Sequence, residues 1–237
     1  MLSGSYNENR TAKIRRMKSK TGRANINFHN VDNMEFMKGI EDNHFELAIT
    51  DPPYGIDIAK WDKSIPTDEY FKELFRVSKN QIIWGGNYFN LPHTEAWICW
   101  DKTFNETVRG KSMSLSKIKK ENISEFELAW TSFLKKSRFL RYMNLGNLQG
   151  FDNNIKVDYN KMPKIHITQK PVQLYKWLLK NYAKEGDKIL DTHGGSCSIA
   201  LAAWDMKYDL DVCELDSDYF NAAWKRFDWH SRQTQLF

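Results

Sequence analysis

The chain has 237 residues, of which 27% are charged and 41% hydrophobic, and its 35 Lys and Arg outnumber its 30 Asp and Glu to give a net charge of +5. This composition excludes a disordered chain, and the length suits one large domain with a small insertion. No apolar run reaches the roughly 18 residues of a membrane helix and the basic start lacks the apolar core of a signal peptide, which predicts a soluble, cytoplasmic protein.

The first predicted elements follow a polar amino-terminal stretch. Residues 1–24 are strongly basic, and residues 1–22 lack hydrophobic periodicity, which predicts a mobile basic arm. A short helix is predicted over 33–40, and the apolar run 45–50 predicts a buried strand that ends at the sequence DPPY. Two consecutive prolines offer no N–H to a sheet or helix, so the chain leaves this strand in a rigid, extended form.

Helix and strand patterns alternate through the middle of the chain. Apolar spacing predicts a helix over 67–78 and a strand over 81–84, and two further strands are predicted over 96–100 and 127–132. Residues 102–124 lie between the last two strands and are polar and basic, with few large apolar side chains. We predict that this stretch is an inserted loop that serves as a target-recognition segment.

The carboxyl-terminal part reads as a βαβα unit. An amphipathic helix over 171–183 is followed by a strand over 188–191, a helix over 198–206, a strand over 209–214 and a helix over 217–229. Alternating strands and helices predict parallel strands joined by right-handed crossovers. The predicted fold class is therefore α/β with a doubly wound, mostly parallel sheet, whose ligands bind at the carboxyl ends of the strands.

Charge is distributed unevenly along the sequence. Basic residues dominate 1–24 and 102–141, whereas acidic residues dominate 187–220. Such blocks suit a polyanion bound by two basic regions, although a solvated tail and a lysine-rich loop would give the same pattern. The cysteines are isolated, which predicts reduced thiols and no zinc site or disulfide framework; they are Cys99, Cys197 and Cys213.

A glycine turn and an acidic residue form the first candidate binding site. Gly194 and Gly195 follow a predicted strand and allow the backbone to approach a ligand closely. Glu214 lies about 20 residues further on, at the end of the next strand, where a carboxylate can accept hydrogen bonds from ribose hydroxyls. The turn by itself is weak support, because any strand-to-helix turn can contain glycine.

The second candidate site consists of Asp51, Pro52, Pro53 and Tyr54. A carboxylate and free proline carbonyls are hydrogen-bond acceptors, and Tyr54 adds a flat aromatic face. This set fits a ligand whose exocyclic amino group needs acceptors for its two protons and whose ring needs a stacking partner. A rigid proline turn beside a buried tyrosine is the alternative interpretation.

Together these segments resemble the β class of S-adenosylmethionine-dependent DNA amino-methyltransferases, of the N6-adenine type. LAITDPPYGI resembles the catalytic motif IV of that family, and LDTHGGSCSIALA and VCELDSDYF resemble cofactor motifs I and II. HITQKPVQLYKWLL resembles motif X, and HNVDNMEFM resembles the segment that carries motif III. The catalytic motif precedes the cofactor motifs, which is the order of the β class. Residues 25–237 would then be the methyltransferase domain of a small, solitary or phage-like enzyme.

The resemblance implies a seven-stranded, Rossmann-like methyltransferase sheet and methyl transfer to N6 of adenine in double-stranded DNA after base flipping. S-adenosylmethionine would be the cofactor and S-adenosylhomocysteine the product, with no metal. Asp51 and the Pro52 carbonyl would accept hydrogen bonds from the N6 amino group within the rigid turn that Pro53 completes, and Tyr54 would stack on the flipped base. The enzyme would be a bacterial or phage-encoded monomer or homodimer, and a separate restriction partner is compatible with the sequence.

The same resemblance implies the cofactor-binding residues. Asp191 and the glycine turn would hold the methionine end, Glu214 the ribose, and Asp32 and Asp216 would lie beside the adenine. The complete implied set is Asp32, Thr168, Gln169, Lys170, Asp191, His193, Gly194, Gly195, Ser196, Glu214 and Asp216. The predicted nucleic-acid contacts are Arg15, Arg16, Lys18, Lys111, Lys117, Lys119 and Lys120.

The chain departs from the family pattern in its glycine turn, where DPFxGxGT is usual. Thr192 and His193 replace Pro and Phe, and Cys197 and Ser198 replace Gly and Thr. We interpret His193 as a packing aromatic side chain and not as a catalytic base. Cys197 is acceptable if its φ is negative, whereas a positive φ would strain it and weaken the cofactor site.

Other functions remain open at this stage. N4-cytosine methylation uses the same amino-group chemistry, although Asp and not Ser at position 51 favours adenine. RNA as substrate and a non-catalytic nucleic-acid-binding pseudo-methyltransferase are further alternatives. Residues 231–237 are predicted to be a tail, and their ending QTQLF resembles the QxxLF peptide that docks on bacterial sliding clamps, with a frayed terminus as the alternative.

Overall fold

The computed structural model describes residues 13–19, 24–59, 61–102, 107–108, 111–112, 124–134, 136–145, 148–151, 156–157, 164–166 and 168–233. The strands are β1 (Lys13–Lys18), β2 (Asn25–Asn30), β3 (Phe45–Thr50), β4 (Ser78–Trp84), β5 (Trp97–Asp101), β6 (Thr107–Val108), β7 (Lys111–Ser112), β8 (Phe126–Thr131), β9 (Arg138–Leu145), β10 (Leu148–Phe151), β11 (Lys156–Val157), β12 (Lys188–Asp191) and β13 (Asp209–Cys213). The helices are α1 (Asn33–Lys38), α2 (Asp68–Val77), α3 (Val172–Tyr182), α4 (Ser198–Met206) and α5 (Ser217–Gln233), with a short 3-10 helix at Gly86–Tyr88.

Eleven of the described strands form one sheet in the order β1-β2-β13-β12-β3-β4-β8-β5-β9-β10-β11. Its centre consists of β2, β13, β12, β3 and β4, which run parallel to one another, as predicted. β8 runs antiparallel to both β4 and β5. The expected seven strands correspond to β2, β13, β12, β3, β4, β8 and β5. The sheet is extended by β1 at one edge and by β9, β10 and β11 at the other. The resemblance implies only the seven-stranded sheet, and the four strands added at its edges lack the continuous apolar runs that make buried strands recognisable in a sequence.

Helices cover both faces of the sheet, which confirms the doubly wound arrangement. One apolar core packs α3, α4 and α5 against the sheet, and its members include Leu178, Ala202 and Phe227. The other core packs α1 and α2 against the opposite face, with Met37 and Leu74 fully buried. The central strands are buried on both sides because each face has its own layer of helices.

The predicted mobile arm is wrong for Lys13–Lys18, which form β1 and pair antiparallel with β2. The strand is anchored through Arg15, whose guanidinium lies 5.1 Å from the ring centre of Phe220 and 5.7 Å from that of Trp224 on α5. Arg15 also donates a hydrogen bond of 2.8 Å to Asn221. Residues 1–12 lie outside the described part of the chain.

The structure shortens the predicted tail and describes part of the predicted insertion. Helix α5 extends to Gln233, so the tail predicted over 231–237 begins inside a helix, and residues 234–237 of the QTQLF ending lie outside the described residues. Of 102–124, the structure describes residues 102, 107–108, 111–112 and 124, and the short strands β6 and β7 pair with each other.

Among the described residues, no helix is long and apolar enough to cross a membrane, and no group of three or more His, Cys, Asp or Glu side chains is arranged to hold a metal ion.

Candidate functional site

Four acidic residues lie along the carboxyl edge of the parallel strands. Asp32 follows β2, Glu214 directly follows β13, Asp191 ends β12, and Asp51 directly follows β3. These strands are consecutive in the sheet, so their ends are spaced by about 4.8 Å per strand. The parallel topology therefore collects residues that are far apart in sequence into one row.

A cavity of about 740 Å³ opens at this edge. It is lined by all four residues of the Asp-Pro-Pro-Tyr turn and by every predicted cofactor-binding residue except Asp191. Those cofactor-binding residues are Asp32, Thr168, Gln169, Lys170, His193, Gly194, Gly195, Ser196, Glu214 and Asp216. Asp191 is only 2% exposed and lies next to the lining residue Thr192 in the chain. The structure thus brings the two predicted sites together at one cavity.

One end of the cavity contains a network of alternating charges around the buried Lys170. The Asp51 carboxylate accepts a hydrogen bond of 2.6 Å from the Tyr54 hydroxyl through Oδ1, and its Oδ2 contacts the Lys170 ammonium group. Lys170 is only 4% exposed and also lies 3.1 Å from Oε2 of Glu127. Lys102 donates a hydrogen bond of 3.0 Å to Oε1 of the same glutamate. We refer to Asp51, Lys170, Glu127 and Lys102 as the charge cluster.

Mutual attraction stabilises the ionised forms within the charge cluster. Burial acts to lower the pKa of Lys170, but the carboxylates of Asp51 and Glu127 outweigh it and raise that pKa above its ordinary value. Burial acts to raise the pKa of Glu127, but the ammonium groups of Lys170 and Lys102 lower it overall. Both groups are therefore charged near pH 7.

The position of Glu127 follows from strand direction. Because β8 runs antiparallel to β4, with Ala129 paired to Trp84, its first residues lie at the carboxyl edge of the parallel strands. Lys102 comes directly after β5, which runs antiparallel to β8, and so reaches the same edge. Lys170 is predicted from the sequence to bind the cofactor, and Lys102 belongs to the basic stretch predicted to bind a polyanion, whereas Glu127 is not among the predicted site residues. The signal available for Glu127 is a charged residue at the start of the strand predicted over 127–132.

Tyr54 is held in one orientation by its neighbours. Its ring stacks on Tyr88 with ring centres 5.0 Å apart and planes inclined by 10°. Tyr54 lines the cavity and Tyr88 does not, so Tyr88 supports the ring from outside the cavity. Gly85 adopts φ +67°, and a Cβ atom there would lie 2.2 Å from Cε1 of Tyr54. Burial, followed by the Asp51 charge, raises the pKa of Tyr54 well above its ordinary value, so its hydroxyl stays neutral and donates.

The glycine turn at the other end of the cavity is packed tightly. A Cβ atom on Gly194 would lie 2.7 Å from both Cys197 Sγ and Val212 Cγ2, so only glycine fits there. Gly195 adopts φ +50°, and its N–H donates to Oε2 of Glu214 over 2.7 Å. The other Glu214 oxygen accepts a bond of 2.8 Å from the Asp216 N–H.

Cys197 adopts a left-handed backbone conformation, with φ +47° and ψ 40°, directly before α4. This is the positive φ at which strain is expected for Cys197, because non-glycine residues are disfavoured in that region. The side chain is fully buried, and its sulfur packs beneath Gly194.

The carboxylates at this end lack cationic partners among the hydrogen bonds and ion pairs of the described residues. We refer to Asp32, Asp191, Glu214 and Asp216 as the acidic edge. Burial, followed by the neighbouring charges of Asp51 and Glu214, raises the pKa of Asp191 to about 8, although the His193 N–H opposes the shift with a bond of 3.0 Å. Burial also raises the pKa of Glu214. Asp32 and Asp216 accept backbone N–H groups at the starts of α1 and α5. This end of the cavity therefore favours a cationic ligand.

His193 belongs to a hydroxyl cluster beneath the cavity. Its Nδ1 lies 3.1 Å from the Thr50 hydroxyl and 3.0 Å from the Thr192 hydroxyl, and its Nε2 lies 3.0 Å from the Asn33 amide nitrogen. Because the Asn33 amide donates to Nε2, the ring proton is assigned to Nδ1. Burial lowers the pKa of His193 to about 3, so the ring is neutral. Through Thr50 and Thr192, His193 joins the ends of β3 and β12.

The remaining predicted cofactor residues stabilise their own segments. Gln169 accepts a bond of 3.1 Å from the Ile165 N–H, and the Thr168 hydroxyl lies 3.1 Å from His166 Nδ1. The Ser196 hydroxyl lies 3.2 Å from that of Ser198. Tyr175 on α3, which the sequence analysis missed, also lines the cavity, and burial raises the pKa of its hydroxyl.

The predicted nucleic-acid contacts are described only in part. Arg16 and Lys18 are exposed on β1, whereas the guanidinium of Arg15 packs on α5. The side chain of Lys111 lies outside the described part of the structure, as do residues Lys117, Lys119 and Lys120.

Comparison with known proteins agrees with this architecture. A sequence model of the N6/N4 DNA methylases matches residues 77–225. The Type II methyltransferase M.HpaI of Haemophilus parainfluenzae is 28% identical over 230 residues, which cover 81% of this chain and 71% of that protein.

Two solved structures share the fold. The M1.HpyAVI–SAM complex has a TM-score of 0.55 at 20% identity over 85% of this chain and 99% of the other. The cytosine-N4-specific PvuII DNA methyltransferase has a TM-score of 0.56 at 14% identity over 85% of this chain and 86% of the other. The α/β fold predicted from the sequence is thereby confirmed.

Proposed function

Since the chain belongs to the N6/N4 DNA methylase family, we propose that it transfers the methyl group of S-adenosylmethionine to the N6 amino group of adenine in DNA. The observation that carries the proposal is the position of Asp51-Pro52-Pro53-Tyr54 at the same cavity as the glycine turn and Glu214. The proposed acceptor site for an amino group and the proposed site for a cationic nucleoside would thus open into one space.

The residues at the acidic edge fit S-adenosylmethionine. This molecule has a positively charged sulfonium and an amino group, which suit a site where burial leaves Asp191 and Glu214 with raised pKa values and no cationic partner among the described contacts. Glu214 would accept the ribose hydroxyls with the lone pairs that its two backbone contacts leave free. Asp32 and Asp216 would lie beside the adenine ring. When bound, the cofactor supplies an electrophilic methyl group.

Asp51 would orient the target amino group. Each of its oxygens has one donor, from Tyr54 or Lys170, and a carboxylate can accept more than two hydrogen bonds. The Pro52 carbonyl would be the second acceptor, and Tyr54, supported by Tyr88, would stack on the extruded base. Lys170 and Glu127 would fix the Asp51 carboxylate, and catalysis would come mainly from this positioning.

Adenine is the favoured base because position 51 is Asp and the resemblance of its segment is to the N6-adenine type. The fold itself is compatible with either base, since the PvuII enzyme that shares it is cytosine-N4-specific. N4-cytosine methylation is therefore the second candidate.

Nucleoside analysis tests the proposal. The protein is expressed in cells that lack adenine and cytosine methylation, and their DNA and RNA are digested and analysed by mass spectrometry. We expect N6-methyladenine in DNA, and none with the Asp51→Ala variant. N4-methylcytosine would show the second candidate to be correct, and methylation confined to RNA would exclude DNA as substrate. No methylated base together with absent S-adenosylmethionine binding in calorimetry would identify a pseudo-methyltransferase. Sequencing of the same DNA with detection of modified bases identifies the recognition site.

A further inference from the structure

The loop between Tyr54 and α2 exposes four large apolar side chains beside the cavity. Ile56, Ile58, Trp61 and Ile65 are 48%, 44%, 36% and 49% exposed. Ile58 and Trp61 also line the cavity, whereas Ile56 and Ile65 do not. Single exposed apolar residues are ordinary, but a group on one short loop at the rim of a binding site indicates an interaction surface.

A buried carboxylate holds this loop in one conformation. Asp62 is 1% exposed, and its Oδ1 accepts the N–H groups of Tyr54 and Gly55 over 2.7 and 2.9 Å. Its Oδ2 accepts those of Ile56 and Ile58, each over 3.3 Å. The isoleucines are therefore presented by a preorganised turn that is bonded directly to the backbone of Tyr54.

Aromatic contacts connect the loop to the other end of the cavity. The Trp61 ring stacks on His166 with centres 5.0 Å apart and planes inclined by 29°. His166 in turn lies 4.5 Å from the ring centre of Tyr219 on α5. Asp62 and the Trp61 ring thus hold the loop in place, which leaves Ile56, Ile58 and Ile65 as its exposed apolar residues.

We propose that Ile56, Ile58 and Ile65 form a wedge that enters the base stack of duplex DNA beside the extruded target nucleotide. The proposal rests on the DNA methylation proposed above. Extruding a base leaves unpaired, unstacked neighbours, and apolar side chains inserted between base steps are a known means of stabilising such a distortion. The wedge begins two residues after Tyr54, so it lies next to the opening through which the target base must pass. Duplex DNA is the partner that fits, because the apolar edge is continuous with the cavity of a DNA methylase.

The test compares two duplexes that carry the recognition site identified by modified-base sequencing. In one the target base is paired normally, and in the other it lies opposite an abasic site, where extrusion requires no base-pair opening. Single-turnover methyl incorporation is counted whichever base accepts the methyl group. Methylation of cytosine would thus refute the adenine assignment and leave the wedge testable.

The variant carries Ile56→Ser and Ile65→Ser, because neither residue lines the cavity. We expect methylation of the paired duplex to fall by about 10- to 100-fold and that of the abasic duplex by less than about threefold. Leu134→Ser is the matched control. Leu134 is fully exposed and comes after β8, at the end of the sheet opposite to the cavity. The Ser132 N–H bonds there to the carbonyl of Gln81 in β4. The methylation rates of the paired and the abasic duplex should both be unchanged in this control.

Two results would overturn the proposal. An equal loss on both duplexes would show that the loop acts on the cofactor or on the base already extruded, and no loss on either would show that the isoleucines are not used.

As a second measurement, 2-aminopurine at the target position should fluoresce less with the single variant Ile56→Ser than with the wild type, because fewer target bases are extruded. Equal fluorescence would also contradict the wedge.

Discussion

The charge cluster and the acidic edge lie at two ends of one cavity, yet they treat buried charge in opposite ways. In the charge cluster, Lys170 lies between two carboxylates and Lys102 contacts the second of them. At the acidic edge, the hydrogen-bond partners of Asp191 and Glu214 among the described residues are backbone N–H groups, and burial raises the pKa of both carboxyl groups. The first group is electrostatically complete without a ligand. The carboxyl groups of the second have no cation among the described hydrogen bonds and ion pairs, so a cationic ligand would supply their missing partner.

This difference indicates what each end contributes. A carboxylate that must orient a neutral amino group benefits from being fixed in advance, and its own charge is best balanced by the protein. A site for a cationic ligand benefits from unbalanced negative charge, because the ligand then supplies the missing partner. Neutralising a charge should therefore destabilise the protein in the charge cluster and weaken ligand binding at the acidic edge.

The largest effect is expected for Lys170→Met, which keeps the length of the side chain but leaves the partly buried carboxylates of Asp51 and Glu127 without their shared cation. Removing one partner of a buried ion pair costs about 3–5 kcal/mol of unfolding free energy. We expect a loss of that size in urea denaturation, together with loss of methyl transfer.

Lys79→Met is the matched control for this experiment. Lys79 pairs with Glu46 over 3.0 Å, but its side chain is half-exposed, so water screens the interaction. Its removal should change stability by less than about 1 kcal/mol. Similar losses in the two variants would show that the buried cluster has no special electrostatic role.

A second prediction concerns Glu214→Gln at the acidic edge. The two backbone N–H groups that Glu214 bonds contact different oxygens, and the amide keeps an acceptor for only one of them, so the ligand-free protein should lose about 1–3 kcal/mol of stability. Affinity for S-adenosylmethionine in calorimetry should fall by about 10- to 100-fold, because the charged acceptor is lost. Glu46→Gln, a surface change, should leave affinity intact, and an equally intact affinity in Glu214→Gln would remove the acidic edge from the cofactor site.

A third prediction is that S-adenosylmethionine binds more tightly as the pH rises from 6 to 8. The pKa of Asp191 is raised to about 8, so its carboxyl group is protonated at neutral pH and gains its charge as the pH rises through that value. A cationic ligand selects the ionised form, and the dissociation constant should fall by up to about tenfold per pH unit below the pKa. The α-amino group of the ligand titrates equally in every variant, so Asp191→Asn isolates this contribution. Parallel profiles for the two proteins would exclude it.

The row of acidic residues was predictable from the sequence, and the charge cluster was not. Asp51, Asp191 and Glu214 each follow an apolar run that reads as a buried strand, and parallel strands necessarily collect such residues at one edge. The contact between Glu127 and Lys170 depends instead on β8 being inserted antiparallel between β4 and β5. No local pattern specifies that order.

The edge strands escaped prediction for a related reason. β1 has basic residues where a buried strand would have apolar ones, and it is held by contacts such as that of Arg15 with α5. The role of Asp62 was likewise not predictable from the sequence, because the residue lies in a loop. Only the folded backbone brings four N–H groups to its carboxylate.

The smallest predicted effect separates backbone strain from packing at Cys197. Its left-handed conformation should cost about 1–2 kcal/mol relative to glycine, while its buried sulfur contributes about 1 kcal/mol by packing beneath Gly194. Cys197→Gly loses both the strain and the packing and should stay within about 1 kcal/mol of the wild type in thermal or urea unfolding. Cys197→Ala loses the packing and keeps the strain, so it should be less stable than Cys197→Gly by about 1 kcal/mol.

Cys213 provides the matched comparison, because it is equally buried but lies in strand β13, outside the positive-φ region. There glycine gains nothing from a left-handed backbone and adds conformational entropy to the unfolded chain, so Cys213→Gly should be less stable than Cys213→Ala by about 1 kcal/mol. The order of the two substitutions should therefore reverse between positions 197 and 213. If alanine is the more stable replacement at both, the conformation of Cys197 is not strained, and its departure from the glycine of related turns has no cost for the acidic edge.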